Sequence, residues 1–273
     1  MNKPFHQRGP VAYAIYLQKR IWKRHLRDWR SRDRFAVKKE SSSLPAIVWS
    51  HSGDMIKRGP GIDPVLQRNK VDNIRLACSR IDGVVVRPGE TFSFWKLVGR
   101  ATRFRGYSKG RVIVGGRLTS GYGGGLCNLA HTLCLLMLHS PMTITELHHH
   151  SDALAPDPGG IRVPYGSGTS VSFNVKDLRF RNDTNQPVQI RAWCDGDFLH
   201  AEMRTTEAFP FHYRITEEGH HFHQEGDKFY RISRIYRETY DSATGTLIDR
   251  KLHWNNHSTV LFDPALIPAD QIS

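Results

Sequence analysis

The segment Gly121-Tyr122-Gly123-Gly124-Gly125-Leu126-Cys127 holds the residue types best suited to chemistry in this chain. Consecutive glycines reach positive φ and leave their N–H groups uncovered. The cysteine after them falls in the first turn of an apolar stretch, 126–138, that reads as a helix. A helix N-terminus favours negative charge, so this position is expected to lower the thiol pKa. The N–H groups of Gly123, Gly124 and Gly125 would receive an oxyanion beside the thiol. Together these parts make a cysteine nucleophile for acyl transfer. The loop is neither a phosphate loop, since no Lys-Ser/Thr follows the glycines, nor a dinucleotide loop.

Such a nucleophile needs a base. His148, His149 and His150 follow about twenty residues downstream, next to Ser151-Asp152 and shortly after Glu146. Successive residues of an extended chain face opposite sides, so His148 and His150 share one side. The pair facing Cys127, or His131 one helical turn after it on the same face, would supply the base; an imidazole near pKa 6.5 suits the role. Glu146 and Ser151 are expected in support. Cys127, His131 and His148 or His150 would also form a three-ligand zinc set. No CxxC or HExxH accompanies them, and neither a metal nor another cofactor is expected. The plainer readings are a small buried thiol after a flexible turn and a run of surface histidines. Cys134 and Cys194 lack the glycine setting, Cys78 reads as a core thiol, and His220, His221 and His223 read as an exposed loop.

The elements that must position these groups are legible in outline. Val71, Ile74, Cys78 and Ile81 share one face of a helix over 67–81, which Gly83 stops. Strands are expected at 84–86, at 91–95 and, by alternation, at 171–175. Residues 178–181 and 188–193 read as a hairpin around Asn182–Asn185, and Asp195-Gly196-Asp197 as a tight turn before 198–202. Residues 229–240 and 246–252 read as a further strand pair around Thr244-Gly245. In the second helix Leu129, Ala130, Leu133, Leu136 and Met137 face inward, and Pro141 ends it. The expected class is α+β: a largely antiparallel sheet with one or two buried helices, one starting at the Gly-Gly-Gly-Leu-Cys segment.

Composition narrows the function. The chain has 273 residues, 39 Lys/Arg against 26 Asp/Glu, a net charge of +13, and 39% hydrophobic residues. That apolar content excludes a mostly disordered chain. The most apolar stretch is too short to span a bilayer, and four cysteines do not make a disulfide scaffold. Residues 1–40 hold 12 Lys/Arg and 3 Asp/Glu, so +9 of the +13 sits in this arm and +4 in the other 233 residues. No basic face is left over for specific nucleic-acid binding. The expected organisation is an N-terminal helical arm over 1–45 and a single domain over 46–273.

Within the arm, residues 11–35 read as a basic helix with Ile15, Ile21, Trp22, Leu26 and Trp29 at helical spacing. Its apolar stripe has two readings. Ile15, Trp22 and Trp29 either pack on the body or lie on an anionic membrane surface with the arginines on phosphates. A signal peptide is rejected: Val11–Leu17 is short for its core, and Gln18-Lys19-Arg20 follows without a small-residue cleavage site. A cytoplasmic protein, peripheral at the inner membrane face, is therefore expected.

Several segments together resemble the VanW family in its short form, without appended wall-binding or G5 domains. They are 83–95 with Arg-Pro-Gly-Glu-Thr-Phe-Ser-Phe-Trp, Gly106-Tyr107, Gly115-Gly116, Gly123–Cys127, Glu146 through His150-Ser151, Pro164-Tyr165-Gly166-Ser167-Gly168, 177–184 and 230–237. The resemblance implies an accessory protein of inducible glycopeptide resistance. It also implies a chemistry, because some larger exported relatives are L,D-transpeptidases that crosslink peptidoglycan through the cysteine matching Cys127 and the histidine matching His150. Two residues depart from the pattern: Asn128 replaces the usual glutamine, and Ala130-His131 replaces a polar pair. The expected partner is then a peptidoglycan stem peptide or precursor, either attacked by Cys127 or bound by a non-catalytic module.

Overall fold

The computed structural model describes residues 9–58, 62–114, 117–153 and 168–273. Gly115-Gly116 and 164–167 lie outside them. In chain order come α1 (Pro10–Ser31), β1 (Arg34–Phe35), β2 (Ala46–Asp54), α2 (Pro64–Ile81), β3 (Val84–Val86), β4 (Glu90–Ser93) and α3 (Phe94–Val98). Then follow β5 (Lys109–Val114), β6 (Arg117–Tyr122), α4 (Leu126–Leu138), β7 (Thr143–Glu146), β8 (Asp152–Ala153) and β9 (Arg179–Arg181). The C-terminal part is strand: β10 (Val188–Asp195), β11 (Phe198–Thr205), β12 (Phe211–Glu225), β13 (Lys228–Asp241) and β14 (Leu247–Val260).

The strands form four-stranded sheets in the orders β1-β4-β9-β7, β2-β11-β10-β3 and β12-β13-β14-β8, plus the β5-β6 pair. All pairings are antiparallel except β1 with β4 and β8 with β14. The class is α+β, as the sequence pattern predicts. Helix α4 is the buried helix, with Leu129, Leu133, Leu136 and Met137 fully covered. It packs against α2, β2 and β11. Helix α2 starts at Pro64, where the Asp63 carboxylate caps the Val65 and Leu66 amides, and buries Val71, Ile74, Cys78 and Ile81.

Local differences from the sequence reading have identifiable causes. The strand at 91–95 stops at Ser93, whose Oγ accepts the Lys96 amide (3.3 Å) and opens α3. The alternation at 171–175 is a turn: Asn174 has φ +50°, and the Lys176 amide returns to the Ser172 carbonyl at 2.9 Å. Residues 179–181 and 188–193 are not a hairpin, because β9 and β10 belong to different sheets. Buried Asn182 makes the crossing by donating to the carbonyls of Val86 and Gln186, both at 2.8 Å. His220, His221 and His223 lie in β12 rather than in a loop.

Helix α1 departs from the packed reading of its apolar stripe. Ile15, Trp22 and Trp29 do not pack on the body. Arg24 and Asp28 do instead, at 7% and 8% exposure. Arg24 pairs with Glu146, and Asp28 accepts both Arg179 nitrogens at 2.7 and 3.0 Å and Lys96 at 3.1 Å. Among the described residues no helix is long and apolar enough to cross a membrane.

Candidate functional site

The glycine loop packs its main chain on β5 and takes side chains from α2. A Cβ on Gly124 would lie 2.2 Å from the Gly110 carbonyl carbon, so β5 and the loop touch main chain to main chain. Gly125 caps α4 at φ +102°, and its missing Cβ leaves room for the Lys70 stem. Asn73, buried in α2, clasps this junction. Its amide donates to the Ser108 and Gly124 carbonyls at 3.0 Å each, and its oxygen accepts the Ser108 amide at 2.8 Å. The glycines thus serve close packing as well as exposure of their amides.

The loop commits most of its own donors. The amides of Gly123, Gly124, Leu126 and Asn128 donate to the carbonyls of Ser108, Gly121, Gly123 and Gly125. Among the described residues, the amides of Gly125 and Cys127 have no such acceptor. They flank the thiol and are placed to stabilise negative charge beside it. The Asn128 side chain is half-buried next to them.

Cys127 sits one residue inside α4 and is half-buried. Its thiol donates to the Val171 carbonyl at 3.8 Å. Burial raises its pKa above the ordinary 9.0, and the Lys176 ammonium opposes that rise. This is the reverse of the lowered pKa that the helix terminus leads one to expect, because loss of water around the thiolate outweighs the Val171 bond and the Lys176 charge.

The histidine run reaches the same place through one short segment. His149 bridges Thr169, the His150 amide donates to Gly168 (3.3 Å), and the Ser170 amide donates to His148 (2.7 Å). The following residue, Val171, is the one that accepts the Cys127 thiol. Lys176 acts electrostatically on both Cys127 and His150. No direct hydrogen bond joins Cys127 to His148, His149 or His150 among the described residues.

The three histidines have different surroundings. His148 bonds Glu146 Oε1 at 2.9 Å. His149 stacks on Trp254 at 4.0 Å and lines a small cavity with His131, Cys134, His253 and Trp254. Burial drives His149 and His131 down to about 4, so both are neutral at pH 7. Burial, and then Lys176, also lowers His150. Ser151 Oγ donates to Asp152 at 3.2 Å, and the Ser151 carbonyl accepts from Thr259 in β14. Among the described residues, no three His, Cys, Asp or Glu side chains converge as a metal site.

Glu146 ties the histidine run to the arm. It accepts Arg24, Arg27 (3.0 Å), His148 and the Asp177 amide (2.9 Å). Burial would raise its pKa, but the bonds from His148 and Asp177 and the charges of Arg179 and Arg27 hold it below the usual value. Asp177 is itself fully buried, accepting Ser93 Oγ (2.6 Å), the Trp95 amide (3.1 Å) and Arg179 Nε (2.7 Å). The sequence reading missed Asn73, Asp177 and Arg179. The available signal was a polar residue set among buried apolar neighbours: Asn73 beside Ile74, and Asp177 beside Leu178.

Known proteins resemble the chain over this same region. Residues 69–204 match the family described as VanW like protein. The vancomycin B-type resistance protein VanW of Enterococcus faecalis (strain ATCC 700802 / V583) is 29% identical over 220 residues, which cover 81% of this chain and 80% of that protein. The uncharacterized protein YoaR of Bacillus subtilis (strain 168) is 38% identical over 125 residues, 46% of this chain and 39% of that protein. No solved structure matches. With a family match that spans both Cys127 and His150, and a relative aligned along most of its length, the chain belongs to the VanW family.

Proposed function

We propose that this chain acts in the glycopeptide-resistance setting of its VanW relative, and that Cys127 performs acyl transfer on a peptidoglycan stem peptide. One observation carries the chemical part: the Cys127 thiol, flanked by the Gly125 and Cys127 amides that have no backbone acceptor among the described residues, bonds Val171 at the end of the 168–171 segment that pairs with the histidine run. The resting pair is a neutral thiol and a neutral imidazole, not a preformed ion pair. On binding of a peptide, the Cys127 thiol turns from Val171, and His150 takes its proton as the sulfur attacks the carbonyl carbon. The Gly125 and Cys127 amides, with Asn128 beside them, hold the oxyanion. Collapse breaks the C–N bond, His150 returns the proton to the leaving amine, and a thioester remains. An acceptor amine, or water, then releases it.

Intact-mass analysis after incubation with purified muropeptides tests this. An acyl adduct is expected on the native chain and not on Cys127→Ala. Its absence across a range of stem peptides would remove the catalytic reading.

A second reading is a non-catalytic module that binds a wall precursor or partner protein. It is favoured by the burial that raises the Cys127 pKa and by the bond to Val171 rather than to a histidine. In that case Cys127→Ala retains binding of the muropeptide without any adduct.

A further inference from the structure

The outward side of α1 carries an apolar stripe, while the side it turns to the body carries Arg24 and Asp28, the reverse of a helix that packs by hydrophobic burial. Val11, Ile15, Trp22, Leu26 and Trp29 are 72%, 54%, 67%, 46% and 78% exposed. At 100° per residue they fall within about 60° of one another. The stripe runs the whole 22-residue helix, Pro10–Ser31, about 33 Å at 1.5 Å per residue. Arg24 and Asp28 lie on the opposite side and are fixed to Glu146 and Arg179. The body therefore holds the helix so that its apolar face stays open.

The charges around the stripe say what covers it. Lys19, Lys23 and Arg30 border it, and none has an acidic partner among the described residues. Asp28 is the only acidic residue of the helix, and it faces the body. An apolar ridge with two indole rings, bordered by cations and free of outward carboxylates, matches the boundary between headgroups and acyl chains of an anionic leaflet. We propose that α1 is an in-plane membrane anchor. Val11, Ile15, Trp22, Leu26 and Trp29 enter the interface, and Lys19, Lys23 and Arg30 sit at phosphates.

The test uses the full chain and vesicles of phosphatidylglycerol and phosphatidylcholine in equal parts, with pure phosphatidylcholine as control. Cosedimentation with the anionic vesicles only is expected, with a blue shift of tryptophan emission. At about 1 kcal/mol per basic residue near such a surface, Lys19→Gln, Lys23→Gln and Arg30→Gln together weaken binding about a hundredfold. Trp22→Ser with Trp29→Ser should abolish the blue shift and weaken binding at least tenfold; both rings are exposed, so the fold is untouched. Absence of binding at low salt overturns the proposal. So does binding unchanged in the double tryptophan variant. A dimer in solution that this variant converts to monomer, without vesicle binding by the native chain, assigns the stripe to a second copy and also overturns it.

Discussion

Arg24 closes a two-pronged ion pair on Glu146, two residues before His148, and His148 bonds the same carboxylate. The arm and the histidine run therefore share one buried anion. Removing it strands Arg24, which is 7% exposed, and frees the Asp177 amide. Glu146→Ala is expected to cost about 3–5 kcal/mol, the usual effect of breaking one partner of a buried pair. Urea unfolding measures the loss. Limited proteolysis should show cuts near α1 that the native chain resists, and an unchanged digestion pattern would refute the role given to Glu146.

The thiol of Cys127 should behave as a buried group, not as a resting thiolate. Alkylation by iodoacetamide is expected to keep accelerating as pH rises past 9, because burial places the pKa above that value. Lys176→Met removes the opposing charge and should slow labelling further at pH 8. A labelling rate that levels off near neutrality would show the opposite pKa shift.

Acid should destabilise the protein before its carboxylates titrate. His131 and His149 have folded pKa values of about 4 against an ordinary 6.5. The unfolded chain therefore binds protons first as pH falls, so their contribution is complete above 6.5 and is lost between 6.5 and 4. Asp28 and Glu146, both lowered when folded, extend the loss below their ordinary 3.8 and 4.5. Melting temperature measured from pH 7.5 to 4 should fall across this window. His149→Phe keeps a ring against Trp254 but cannot be protonated, and should make the fall shallower.

Gly124→Ala has no room: its Cβ meets the Gly110 main chain at 2.2 Å. The expected cost is about 1–3 kcal/mol, as for other overpacked sites. Differential scanning calorimetry checks it, and a melting temperature equal to the native one would mean that the loop moves freely.

The helices and the long C-terminal strands were legible in the sequence because period and turn residues agree there. Val71, Ile74, Cys78 and Ile81 mark α2, and Asp195-Gly196-Asp197 marks the β10–β11 turn. Residues 178–193 misled because a hairpin and a sheet-to-sheet crossing share turn-forming residues; only burial of Asn182 separates them. Cys127 and the histidines were legible as types. Their surroundings were not, because Val171 and Lys176 come from a turn that reads as a strand. The orientation of α1 was hidden for a related reason. Local pattern places apolar residues inward, whereas Arg24 and Asp28 find partners more than a hundred residues away in Glu146 and Arg179.

The contact of Gly110 with Gly124 also has a consequence for how the chain can vary. Both missing side chains occupy one gap, since a Cβ on Gly110 would lie 2.9 Å from the Gly124 carbonyl oxygen. Once one alanine has forced β5 and the loop apart, the second meets a gap already widened. The double variant should lose less stability than the two single losses added, a sign of epistasis between neighbouring sites. Drift at either position is thus conditional on the other, and the pair behaves as a single heritable unit.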